Sequence, residues 1–140
     1  MEKWILYALL AMVFAGVTSA IAKLGLEGIS AELGMTVRTC FVFGFVMLFA
    51  SATVHVAEFQ SLTARNYLWL ALSAATTAIS WVFYYKAIKE GEVSTVALID
   101  KGSFVIAVLM AWLILGEQIT WRIVFGCSLI IAGLFVVSRR

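Results

Sequence analysis

The chain has 140 residues, of which 64% are hydrophobic and 13% charged, with ten glycines and no proline, a composition too apolar for one soluble core of this size. A formal net charge of +2 without a clustered basic surface argues against nucleic acid as a partner. Cys40 and Cys127 fall inside apolar runs far apart in sequence, where a thiol acts as a small hydrophobe, and the absence of CxxC or a histidine cluster gives no sign of a metal site or cofactor.

A bilayer core needs roughly 20 apolar residues per helix. Runs of that kind predict an all-α polytopic membrane helix bundle of five transmembrane helices in a single domain, residues 1–140. The first span covers 4–22, closed by Lys23 and a connector dotted with Gly25, Gly28 and Gly34. An alternative reading, a secretory signal ending at the small residues 20–22, gains nothing, because the run is long enough to span and Lys23 follows at once. The second span covers about 38–56, followed by an aqueous loop with His55, Glu58, Gln60 and Arg65; the lone His55 reads as an interfacial residue. The third covers 67–85 and is closed by the polar run KAIKEGE. The fourth covers 93–115 and carries Asp100 and Lys101 within it; the fifth covers about 120–137, ahead of Arg139 and Arg140. Short connections make neighbouring helices antiparallel.

Five spans put the termini on opposite sides, so basic residues can be totalled for each. Lys3, Arg65 and Arg122 lie on the N-terminal side; Lys23, Arg38, Lys86, Lys89, Arg139 and Arg140 lie on the other. The excess predicts a multi-pass inner-membrane protein with an outside N-terminus and a cytoplasmic C-terminus.

Side chains three, four and seven apart share a helix face. Ser73, Thr77, Ser80 and Tyr84 therefore line one face of the third span, beside a stripe of Ala74, Ala78, Trp81 and Tyr85. Hydroxyls in a membrane helix commonly bond a neighbouring helix or their own backbone; four in register also suit a wet cavity. Lys23, Arg38 and Lys86 lie near one membrane surface, either snorkelling to headgroups or facing a path.

Asp100 lies about seven residues into the fourth span, roughly 10 Å deep at about 1.5 Å per residue, and its short side chain cannot snorkel. An ionised carboxylate there costs a few kcal/mol unless it is paired, hydrated or protonated. Lys101 is about 100° away round an ideal helix and need not be its partner; Lys86, Lys23 or Lys101 of a second subunit are the favoured alternatives. A carboxylate poised between desolvation and a cation can trade a proton or ion against a solute. Two other readings stay open: a fixed ion pair that locks helices together, or a helix broken at Gly102 with Asp100 capping a half-helix. In the last span, Gly126 and Gly133 mark a face suited to close packing within the subunit or against a partner.

The segments WVFYYKAIKEGEVSTVALIDKGSF and AWLILGEQITWRIVFGCSLIIAGLFVV, with AKLGLEG at 22–28 and TVRT at 36–39, resemble the drug/metabolite transporter superfamily, in particular the EamA-like domain in its short single-repeat bacterial form. The most telling pieces are Tyr84-Tyr85-Lys86-Ala87, Ile99-Asp100-Lys101, and LGE followed by a glycine-containing last span. Leu98 stands where relatives usually carry proline, and Gly102 where they usually carry a larger residue. The resemblance implies that one such repeat forms half a cavity wall, hence a homodimer or a heterodimer with another small repeat.

These residues lead to an expected secondary transporter subunit, embedded in lipid, that moves a small metabolite by alternating access. Asp100 is the coupling or substrate-contacting carboxylate; Lys101, Lys86, Lys23 and Arg38 supply positive potential; Trp81, Tyr84, Tyr85, Ser80 and Thr77 shape the pocket. Cations lining the path favour an anionic or zwitterionic substrate. The competing expectation is a non-transporting accessory or scaffold subunit for a lipid-linked pathway. No nucleophile, base and orienting group occur together, so an enzyme is not expected.

Overall fold

The computed structural model describes residues 3–138, so Arg139 and Arg140 of the charge tally lie outside the described residues. The helices are α1 (Lys3–Gly25), α2 (Ala31–Thr53), α3 (Ala64–Glu90), α4 (Val93–Asp100), α5 (Ser103–Leu115) and α6 (Trp121–Ser138), with a short 3₁₀ helix at Val56–Ser61. The protein is all-α and polytopic. Four stretches are long and apolar enough to cross a membrane: Lys3–Gly25, Ala31–Thr53, Ala64–Glu90 and Val93–Leu115, the last being α4 and α5 together. Trp121–Val137 is a shorter apolar helix; at about 1.5 Å per residue it is roughly 26 Å long, the lower limit for a span.

Helix ends follow local chemistry. The Ser30 side chain accepts from the Leu33 N–H at 3.2 Å, and Glu32 sits in the first turn. Both features favour a helix start. The second helix thus begins at Ala31, seven residues before Arg38, and Arg38 lies two turns inside it. Gly28 makes the preceding turn with φ of 74°, a conformation that favours glycine. At the other end of α5, Gly116 adopts φ of 67°, and the Glu117 N–H reaches the Ala111 carbonyl at 3.2 Å, closing the helix.

The chain divides into two compact units, residues 22–90 and residues 1–21 with 91–140. In the first, α2 and α3 pack against each other as a hairpin. Its interior is small: Leu26, Ala31, Tyr85 and Ile88 are buried, all where α2 begins and α3 ends. Gly34 lets Leu26 settle there, since a Cβ at position 34 would collide with the Leu26 side chain. In the second unit, α4 and α5 each pack against α6.

Most large apolar side chains elsewhere are exposed, Phe14 and Leu48 each at 70%. On a soluble protein such a surface would drive aggregation; in a bilayer it is the solvent-facing side. Many hydroxyls in the helices bond their own backbone: Thr18 donates to the Phe14 carbonyl at 2.8 Å and Ser128 to Val124 at 2.9 Å. This back-bonding makes a hydroxyl tolerable in hydrocarbon.

Candidate functional site

The fourth span changes its winding where its charges lie. The Lys101 N–H bonds the Leu98 carbonyl at 3.1 Å and Ala97 at 3.3 Å, Gly102 bonds Ile99 at 2.9 Å, and Phe104 and Val105 bond Lys101 and Gly102 at 3.1 Å each. Bonding three residues back instead of four tightens the helix into a 3₁₀ turn, a common form for a mid-helix hinge. Lys101 and Gly102 nevertheless keep right-handed helical dihedrals, so the span is interrupted without reversing. Gly102 permits this packing. A Cβ there would lie 2.9 Å from Leu134 Cδ1 on α6 and 3.1 Å from the Ile99 carbonyl oxygen.

Asp100, the last residue of α4, pairs with Lys101 of the same chain, Nζ to Oδ2 at 3.5 Å. Both are part-exposed, 37% for Asp100 and 41% for Lys101. Adjacent Cβ atoms point apart on a helix, but the four-carbon lysine stem is long enough to fold back. Lys101 Nζ also lies 5.6 Å from the Phe104 ring centroid, within cation–π range. The result is a carboxylate and an ammonium in a nearly neutral couple beside a 3₁₀ turn.

Within residues 22–90, Lys23, Lys86, Lys89 and Arg38 gather towards the end where α2 begins and α3 ends, whereas Arg65 lies at the start of α3. The Lys23 ammonium donates to the carbonyls of Ile88 and, at 3.0 Å, Lys89. Lys89 donates to the Leu26 carbonyl at 2.7 Å, and Lys86 pairs with Glu32 at 3.2 Å. Lys23 there meets the unsatisfied carbonyls and negative dipole end of α3. Arg38 lies over aromatic faces, its guanidinium carbon 4.6 Å from the Trp81 centroid and 6.0 Å from that of Tyr85. Tyr84 meets Tyr85 edge-on with centroids 6.4 Å apart.

Between α2 and α3 lies a laterally open, almost wholly apolar cavity of about 810 Å³. Thr77, Ser73, Ala74, Ala78 and Trp81 line it, and Ser80 and Tyr84 are not among its lining residues. The α2 wall adds Thr36, Thr39, Cys40 and Phe43, which the sequence reading had not singled out. Thr77 donates back to the Ser73 carbonyl at 2.9 Å. Gly126 and Gly133 have open space: a Cβ at either would meet nothing within 4 Å. The close-packing glycines are Gly34 and Gly102 instead.

Sequence reading also passed over Glu32 and Lys89. Ser30 followed by Glu32 is a helix-start signal that could have drawn attention to the first; only the fold brings Lys89 to Leu26.

The model of the EamA-like transporter family matches residues 2–139. The chain belongs to the EamA-like transporter family. It is also 31% identical over 137 residues, covering 98% of this chain and 97% of the relative, to a Sinorhizobium sp. protein named "Uncharacterized transporter in cobO 3'region". No solved structure matches. As an EamA-like protein it is a multi-pass membrane protein, and membership points to transport rather than catalysis. The family model takes in both units, the Asp100–Lys101 pair and the α2–α3 cavity alike.

Proposed function

We propose that this EamA-like domain is a subunit of a secondary transporter that moves a small metabolite across the inner membrane by alternating access. It works as a homodimer or with another small repeat, with its N-terminus outside and C-terminus in the cytoplasm. The observation that supports this reading is the Asp100–Lys101 couple at the 3₁₀ turn of a membrane span. An isolated charge at that depth costs a few kcal/mol, whereas a couple whose charges nearly cancel is tolerated. A proton on Asp100, or an anionic group on Lys101, removes half of the couple and frees the other half. Coupling between solute and ion then follows from charge balance, and the tight turn beside Gly102 gives the two halves of the span a place to pivot.

In this reading Arg38, Lys86 and Lys23 contribute positive potential at the cytoplasmic end, favouring an anionic or zwitterionic solute over a cation. Trp81, Tyr84, Tyr85, Thr77 and Ser80 shape the route, and the open faces at Gly126 and Gly133 are available to a partner helix.

The test is uptake by the purified protein in liposomes, with and without an imposed pH gradient, against panels of anionic, zwitterionic and quaternary-ammonium solutes. Gradient-stimulated uptake of anions or zwitterions is expected. Preferential uptake of quaternary cations would overturn the charge assignment. Movement of no solute, with Asp100→Asn altering only stability or complex formation, would identify a non-transporting accessory subunit.

A further inference from the structure

We infer that the cavity between α2 and α3 is a binding groove for one anionic phospholipid, with its acyl chain along the cavity and its headgroup on Arg38. This goes beyond the transport reading and narrows it: Arg38, Thr77 and Trp81 then serve lipid and not the solute, while the Asp100–Lys101 couple is untouched. Three observations carry it.

First, Arg38 lacks an anion in its own unit. Trp81 and Tyr85 contact its guanidinium through their ring faces. Among the described residues of 22–90 no carboxylate pairs with it, since Glu32 is taken by Lys86. Aromatic faces stabilise the cation but accept none of its in-plane N–H groups, which keep the fork geometry that fits a phosphate bidentately. Arg38 is eight residues beyond the Ser30 cap, roughly 12 Å along the helix, where a charge without an anion is costly.

Second, the cavity has the dimensions of one leaflet. On α2 it runs from Met35 to Val46; at about 1.5 Å per residue this is roughly 16 Å, close to half of a bilayer core about 30 Å thick. Trp81, against which Arg38 rests, lines the same cavity, and Arg38 lies towards the end of the hairpin that carries Glu32, Lys86 and Lys89.

Third, the wall suits a hydrocarbon chain better than a polar solute. Its threonines have used their hydrogens: Thr36 donates to Glu32 and Thr39 to Met35 at 2.8 Å each, and Thr77 to Ser73 at 2.9 Å. What is left is mostly methyl, methylene and ring surface, including Phe43 at 66% exposure, with Ser73 and Cys40 as small polar groups in the wall. A polar metabolite would lose its water there with few donors to replace it.

The experiment uses the full chain with Trp81 as the sole tryptophan, Trp4, Trp69, Trp112 and Trp121 being replaced by phenylalanine. It is reconstituted in mixed vesicles in which either phosphatidylglycerol or phosphatidylcholine carries brominated acyl chains at equal mole fraction. Brominated phosphatidylglycerol should quench Trp81 with about fivefold preference, the scale of one arginine meeting an anionic lipid. Arg38→Gln should bring the preference close to one, and Arg38→Lys should retain part of it. Ala78→Leu, which fills the groove and leaves the cation, should reduce quenching by both lipids. Should Arg38→Gln fail to insert, the comparison of the two lipids in the parent and in Ala78→Leu still decides. Equal quenching by the two lipids, or a preference that survives Arg38→Gln, overturns the inference. So does an absence of quenching by either lipid, which would mean that a protein helix, from this chain or a second copy, covers the groove.

Discussion

Asp100→Asn should lower solute uptake at least tenfold while the protein still inserts and keeps its helical content. Asparagine has nearly the same shape and holds no proton that can be traded, so the substitution removes coupling and little else; a tenfold loss corresponds to about 1.4 kcal/mol. Its effect on stability is equally informative, because the 37% of Asp100 left exposed can face water or lipid. Against water, the couple with Lys101 is worth no more than about 1 kcal/mol, as for exposed ion pairs generally, and the variant should melt close to wild type. Against lipid, Lys101 would be left without its anion in hydrocarbon, a cost of about 3 kcal/mol at the span centre. Uptake and thermal melting in one lipid composition measure both quantities. A large loss of uptake with a small loss of stability is the expected combination.

Gly34→Ala should destabilise the protein by about 1–3 kcal/mol, whereas Gly44→Ala in the same helix should be neutral or stabilising. Both positions lie inside α2, where alanine is preferred over glycine by about 1 kcal/mol on intrinsic propensity alone. They differ in surroundings. A Cβ at position 34 runs into Leu26, which is 1% exposed and packed in the same small interior as the fully buried Ile88, while a Cβ at position 44 meets nothing within 4 Å. Overpacking of this kind typically costs about 1–3 kcal/mol. Leu26 has little room to yield, because the chain beside it is fixed by Lys89 on its carbonyl and by Lys23 on those of Ile88 and Lys89. Thermal unfolding in detergent, comparing the two alanine variants with wild type, measures the difference.

What the sequence made legible was the part that depends on local composition. Uninterrupted apolar runs announced the spans, and Ile99-Asp100-Lys101 with the Tyr84-Tyr85-Lys86-Ala87 segment carried the family. The second helix was harder to delimit, because the glycines at 25, 28 and 34 read as one connector. Gly28 does make a turn, but Gly34 is helical and is there for Leu26. Contacts between residues more than 60 apart, such as those of Lys23 and Lys89, leave no periodic trace. The hydroxyl stripe on α3 shares a face on an ideal helix, yet the cavity takes only Ser73 and Thr77 from it and follows the neighbouring stripe through Ala74, Ala78 and Trp81. Asp100 was identifiable from depth alone. Its pairing with Lys101 was not, since ideal helix geometry separates adjacent side chains and the reach of a flexible lysine stem is not visible in a helical wheel.

The central claim is that water reaches the Asp100–Lys101 couple inside the membrane span. Its most direct test is the reactivity of single cysteines at positions 100 and 101, in a background with Cys40 and Cys127 replaced by alanine, towards a charged maleimide that does not cross or enter the bilayer. The account predicts modification of both from one side of the membrane, while a cysteine at Leu109 on the same span stays unreactive. Unreactive cysteines at 100 and 101 in protein that remains folded and inserted would contradict it.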